Sequence, residues 1–158
     1  MRSAEAHDDQ ASSAPLSASA NFVISLDFEL FWGIRDHTDL DACKTRLCGT
    51  REAIPRMLDQ FAHHHVHATW ATVGFLFFDE KDELLAHLPS LKPSYQNQHL
   101  SPYRHLESIG PNEKKDPYHY GRSLLRRIGA CPGQEIGTHT FSHYYCLEEG
   151  QTIDEFRA

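Results

Sequence analysis

The chain has 158 residues, 40% hydrophobic and 23% charged, which suits one globular domain built on one core and leaves no room for two. Its formal charge of -7 and sequence pI near 5.9, with basic residues only in isolated pairs such as Lys114-Lys115 and Arg126-Arg127, exclude the clustered cationic face that nucleic-acid phosphates demand. No apolar run approaches the ~20 residues of a membrane-spanning helix, which excludes an integral helical membrane protein.

Residues 1–20 are rich in Ala and Ser, carry Glu5, Asp8 and Asp9, and lack both the basic start and the apolar stretch of a signal peptide, so a disordered leader is expected there. Cys43, Cys48, Cys131 and Cys146 contain no C-x-x-C, and nothing else marks a secreted disulfide framework. Reduced thiols and a cytoplasmic location follow as the expectation.

In chain order, residues 21–27 (Asn-Phe-Val-Ile-Ser-Leu-Asp) form a mostly apolar run that reads as a first strand buried on both faces. Ile54, Met57, Leu58 and Phe61 then fall at i, i+3, i+4 and i+7, the stripe of an amphipathic helix. Pro55 lacks the amide proton a helix interior needs, so the helix is expected to begin at or just before it, with 50–53 as a lead-in turn. Residues 67–73 are β-branched and aromatic and read as the second strand, closed by Gly74. Residues 79–88 combine capping acids with Leu84, Leu85 and Leu88, and Pro89 stops that helix.

The next stretch, 90–118, is polar and broken by Pro93, Pro102, Pro111 and Pro117, which suggests a functional or lid-like insertion. Leu124, Leu125 and Ile128 predict a helix over 120–128 with Gly129 at its C-terminal cap, and 134–138 is the third strand. Strand and helix alternating three times predict an α/β fold with parallel strands, in a sheet or a barrel. Active sites in such folds gather at the C-terminal ends of strands.

Both chemistry-bearing motifs fall at such ends. Gly137-Thr138-His139-Thr140-Phe141-Ser142-His143 sets two imidazoles four residues apart just past strand three, and on a helical turn that spacing lets both reach one ion. Asp27 and Glu29, two apart at the end of strand one, supply the acids such a pair lacks: one to ligate, one outside the ligand set to take a proton. The plainer alternatives are two partly exposed loop histidines, a helix-capping acid and a surface acid. Unpaired acids inside Val-Ile-Ser-Leu-Asp-Phe-Glu-Leu-Phe-Trp would however be costly to bury. His63, His64, His65 and His67 sit at a helix end, where imidazolium complements the dipole, and Cys43 with Cys48 offers at most half a zinc site. Trp32, Tyr118 and Tyr120 suit either sugar stacking or packing, with packing the commoner use.

These residues resemble a known family, the polysaccharide deacetylases (the NodB-homology or carbohydrate esterase family 4 group). His139-Thr140-Phe141-Ser142-His143, preceded by Glu135-Ile136-Gly137, looks like the family's metal-binding second motif. Ser25-Leu26-Asp27-Phe28-Glu29 is similar to its first motif, in the branch that reads Asp-x-Asp or Asp-x-Glu and includes lipid-linked sugar deformylases and some peptidoglycan deacetylases. Residues 67–74 also resemble the family's second strand, so the likeness runs from about residue 21 to the end.

The resemblance implies a distorted (β/α)7 barrel, of which only the N-terminal part is visible before Ala158; self-association through open edges is expected of an incomplete barrel. It implies Asp27 as general base, and Glu29, His139 and His143 as ligands of a divalent metal, Zn²⁺ in the first instance. The implied activity is hydrolysis of an acetyl or formyl group from an amino sugar of a surface glycan or its precursor, so the implied partner is a carbohydrate. Two rivals are an allantoinase-type cyclic-amide hydrolase and a truncated, non-catalytic module, since the family's later arginine and histidine motifs have no counterpart here.

Overall fold

A computed structural model describes residues 21–158. The expected leader, 1–20, lies outside them. Three parallel strands, β1 (Ser25–Phe28), β2 (Ala68–Thr72) and β3 (Gln134–Thr138), pair in the order β1-β2-β3. The fold is thus mixed α/β with a parallel sheet. Ser25, Thr69 and Glu135 stand level, and so do Phe28, Thr72 and Thr138.

Because strand side chains alternate, this register gives the sheet two unlike faces. Leu26, Phe28, Trp70 and Ile136 share one face, where they meet Leu47, Ile54 and Leu58 of α1 (Leu40–His63) and Leu124, Leu125 and Ile128 of α3 (Arg122–Ala130) in one core. Phe28 and Phe61 each pack their rings 6.4 Å from Trp70. Ser25, Asp27, Thr69, Ala71, Glu135 and Gly137 occupy the other face, none of them buried. The expectation that β1 is buried on both faces is therefore corrected: both long helices lie on one side, and no second layer covers the polar side among the described residues.

The first helix is longer than its strongest stripe suggested. It starts at Leu40, well before Pro55, because Leu40, Cys43 and Leu47 continue the same stripe towards the N-terminus. One missing amide is outweighed by six turns of packing. The second helix shrinks instead, to α2 (Lys81–Ala86), because residues 79–80 are held extended: Glu80 bridges to Asn112, and Lys81 N–H donates to Pro111 O at 2.9 Å. Gly121, not a residue inside the helix, precedes α3, and Gly129 lies within it; the turn into β3 is made at Gly133, whose φ of 78° favours glycine.

The 90–118 segment contains two 3-10 turns, Gln98–Leu100 and Pro102–His105, and it is part of the core. Tyr95 is fully buried, as are Leu106 and Ile109 nearly so. Its far end is tied by Asp116, which accepts from Gly110 N at 2.7 Å, Tyr118 N at 3.3 Å and His119 Nδ1 at 2.8 Å. Trp32 and Tyr120, offered above for sugar stacking, are fully buried packing residues, and Trp32 Nε1 donates to His119 O at 2.9 Å. Tyr118 is half-buried, beneath the Lys44 ammonium at 5.8 Å from its ring centre. No described helix is long and apolar enough to cross a membrane.

Two tests follow from this packing. Leu47→Ala, in the half of α1 that precedes the strong stripe, is expected to cost about 2–4 kcal/mol in urea unfolding. Gly49→Ala, exposed with open space around it, is expected to gain about 0.5–1 kcal/mol. Burial opposes ionisation of Asp116, but His119 and the two amides outweigh it and hold its carboxyl below the ordinary aspartate value of 3.8. Its stabilising effect is therefore complete above about pH 4 and is lost as pH falls through the lower folded value. Asp116→Asn is expected to flatten that acid limb of the stability–pH curve.

Candidate metal centre

The chain leaves β1 through Glu29 into a 3-10 turn, Leu30–Gly33, whose Leu30, Phe31 and Trp32 are all buried. Trp32 packs edge-on to Phe75 with ring centres 4.8 Å apart, and Phe31 N–H donates to Tyr118 O at 3.2 Å. These anchors fix where Glu29 begins. Leu30 adopts a φ of 48°, a left-handed conformation that a branched side chain takes only when its surroundings impose it.

Past β3 the ladder with the β2 exit continues. His139 N–H donates to Thr72 O at 2.8 Å, Gly74 N–H to Thr140 O at 2.9 Å, and Phe75 N–H to Phe141 O at 2.9 Å. Gly74 is required by this close approach, since a Cβ there would lie 2.8 Å from both Phe141 Cα and Phe141 O. Phe141 then wedges against Phe75 and Phe78, ring centres 5.1 and 6.2 Å away.

The two histidines do not share a helical turn, as the spacing suggested. Residues 139–143 form a bent loop with left-handed backbone at Thr140 (φ 61°) and His143 (φ 55°), closed by Tyr144 N–H donating to Thr140 Oγ1 at 2.6 Å. That bend brings the rings together, their centres 5.1 Å apart.

Glu29 Oε2 lies 3.4 Å from His139 Nε2 and 3.1 Å from His143 Nε2. One donor atom from each of the three residues fits within 4.8 Å of the others, the one such group found among the described residues. Donors bound at 2.0–2.1 Å around a tetrahedral zinc stand about 3.3–3.4 Å apart, so the two separations from Glu29 suit a shared ion. The donor set of two imidazoles and one carboxylate is that of many hydrolytic zinc sites. The contact with His143 holds the Glu29 carboxyl below its ordinary range, against an opposing effect of burial.

Asp27 stands outside the group. Its side chain is 60% exposed on the helix-free face, and its Oδ1 is 3.9 Å from His139 Nδ1, whereas Glu29 approaches Nε2 of that ring. The structure thus brings together all four sequence-predicted site residues, three around one point and the fourth beside one of the histidines. Among the described residues the His63–His67 run forms no ligand group, and Cys43 and Cys48, one buried and one exposed, are both free thiols.

Sequence reasoning passed over Gly33. A Cβ at this position would collide with the Glu29 carboxylate, which lies directly across the Gly33 backbone. Its φ is not in the left-handed region, so only side-chain space is at stake. The turn of Leu-Phe-Trp-Gly ending four residues after an acid was the available signal.

A cavity of about 490 Å³ lies on the opposite side of the same loop, lined by Thr138, Thr140, Ser142, Tyr144, Tyr103 and Phe156 among others. Neither histidine reaches it. Comparison of the chain with protein-family models, with curated proteins and with solved structures gave no match.

Gly33→Ala is expected to push Glu29 aside and weaken zinc binding roughly tenfold or more while leaving helix content unchanged. Isothermal titration with zinc and far-UV circular dichroism check the two halves of that expectation.

Proposed function

We propose that this chain carries the metal site of a zinc-dependent hydrolase that removes an acetyl or formyl group from an amino sugar of a glycan or its precursor. The observation that carries the reading is the convergence of Glu29, His139 and His143 from two distant strand ends at the donor spacing of a single zinc ion. Strands β1 to β3, with their helices on one side only, suit one wall of a (β/α) barrel whose inner face is the polar one. The resemblance of both motifs to the polysaccharide deacetylases supplies the substrate class.

Glu29, His139 and His143 would hold the ion. When bound, zinc would acidify a water and polarise the acyl carbonyl under attack. Asp27, exposed on the same rim, would accept the proton of the attacking water. The Trp32 anchor and the Phe141 wedge keep the ligand-bearing segments from drifting apart, which holds the donor atoms at fixed spacing.

The approach of Asp27 Oδ1 to within 3.9 Å of His139 Nδ1 favours a second role for this acid, orienting the His139 ring as carboxylates do for zinc-bound histidines. Asp27→Asn separates the roles. A base lost leaves zinc affinity intact and abolishes turnover, whereas an orienting group lost weakens zinc.

The deciding experiment is elemental analysis of the purified chain beside the His139→Ala, His143→Ala double variant, followed by assay of acetate or formate release from N-acylated amino-sugar oligomers. One zinc per chain, absent from the double variant, together with zinc-dependent release is the expected result. Zinc bound without release would favour a non-catalytic binding module, and metal-free ring opening of a cyclic amide without acyl release would favour the cyclic-amide hydrolase type.

A further inference from the structure

We propose that Tyr145 and Asp36 are positioning residues for the metal site, acting as a buried brace that fixes the ring of His143; this rests on the metal reading above. His143 is the most constrained of the three ligand residues. Its backbone is left-handed, its side chain is 16% exposed, its Nε2 faces Glu29, and its Nδ1 is buried with no hydrogen-bond partner among the described residues. A zinc-ligating imidazole is ordinarily oriented through its second nitrogen. Here that nitrogen offers no hold, so the ring must be oriented by what it packs against.

Two rings flank it. One is His139, itself a proposed ligand and therefore no independent support. The other is Tyr145, edge-on with ring centres 5.1 Å apart and an interplanar angle of 72°. Tyr145 is fastened at every polar atom that matters. Its backbone N–H donates to the hydroxyl of the fully buried Tyr95 at 2.8 Å, its own hydroxyl donates to Asp36 Oδ2 at 2.8 Å, and the Arg35 guanidinium lies 5.3 Å from its ring centre.

The far end of the brace is costly to build. The Asp36 side chain is only 8% exposed and Arg35 only 6%, on a loop between the 3-10 turn and α1 where a polar pair could as well have faced water. Arg35 donates to Trp32 O and Leu100 O, which ties it to the β1 exit and to the 90–118 segment. Asp36 Oδ1 and Arg35 Nε are, with His143 Nδ1, the three buried side-chain polar atoms without partners among the described residues. All three belong to this brace or to the histidine it supports. Neither the sheet nor the helix packing uses Asp36; its one close partner besides the exposed His37 is Tyr145. The cost makes sense as preorganisation: three segments distant in sequence meet behind one ligand and hold its angle.

The test is competitive zinc titration of the full chain, wild type beside Tyr145→Phe, Asp36→Asn and the double variant, with the visible absorption of the cobalt-loaded protein as a report on ligand geometry. Each single variant is expected to weaken zinc roughly tenfold or more and to alter the cobalt spectrum. The double variant is expected to lose no more than one single variant, because both act on the same hydrogen bond: Tyr145→Phe removes its donor and Asp36→Asn the charge of its acceptor. Tyr144→Phe serves as the control for loss of a neighbouring hydroxyl, which bonds Gln151 Oε1 at 2.9 Å and is expected to leave affinity unchanged.

Both substitutions are near-isosteric, and urea unfolding identifies a variant that fails for want of stability. Wild-type zinc affinity and spectrum retained in folded Tyr145→Phe and Asp36→Asn would overturn the brace and leave the metal site standing. A wild-type chain that binds no zinc would overturn the metal site and the brace with it.

Discussion

The level pairing of three parallel strands governs the rest of this structure. Phe28, Thr72 and Thr138 stand abreast, so the strands finish at one height and the residues that follow them, Glu29, Val73 and His139, emerge along one rim. Side-chain alternation then acts across the sheet: Asp27 and Gly137 share the helix-free face, and continuing the alternation one step past each strand directs Glu29 and His139 the same way. A slip of one residue in either pairing would send the acid and the imidazole to opposite faces. The apolar face of β1 and β2 resists that slip, because it would turn Phe28 and Trp70 away from α1 and α3.

Register alone does not bring His143 to the same point, and here backbone strain enters. Left-handed residues at Leu30, Thr140 and His143 each cost on the order of 1 kcal/mol or more, and all three sit at or beside a proposed ligand position. What offsets the cost is packing on both sides of the strained segments. Leu30, Phe31 and Trp32 are buried under the first, and Phe141 fills the space between Phe75 and Phe78 under the second. The loop therefore splits its contacts: Thr138, Thr140, Phe141, Ser142 and Tyr144 line the cavity behind it, while His139 and His143 turn to Glu29.

Much of this was legible beforehand, for reasons that differ by element. Strand three was read at its full extent because Gly133 and the polar bend after Thr138 bound it chemically. The first helix was cut short because Pro55 is a strong local signal, while its N-terminal stripe of Leu40, Cys43 and Leu47 is sparse and gains meaning only from the core it meets. The 90–118 segment looked like an insertion because its prolines and polar residues carry no period, yet Tyr95, Leu106 and Ile109 are core residues placed by tertiary contacts. All four proposed site residues are visible as motifs. Gly33 and Tyr145 were not, since one acts by lacking a side chain and the other by touching residues 109 positions away in the sequence.

The proposed division of labour among Asp27, Glu29, His139 and His143 matches where the sheet puts water. Glu29 and His143 are drawn back behind the rim, with side chains 25% and 16% exposed, where a shared ion would be partly shielded and its ligands held by neighbours. Asp27, one pleat earlier on the open face, is 60% exposed. A ligand benefits from restraint and partial desolvation, because both strengthen its hold on a cation. A group that must take up a proton and release it again benefits from contact with water. The same two-residue step along β1 thus separates an acid suited to holding a metal from one suited to moving a proton, and it does so without any difference in their chemistry.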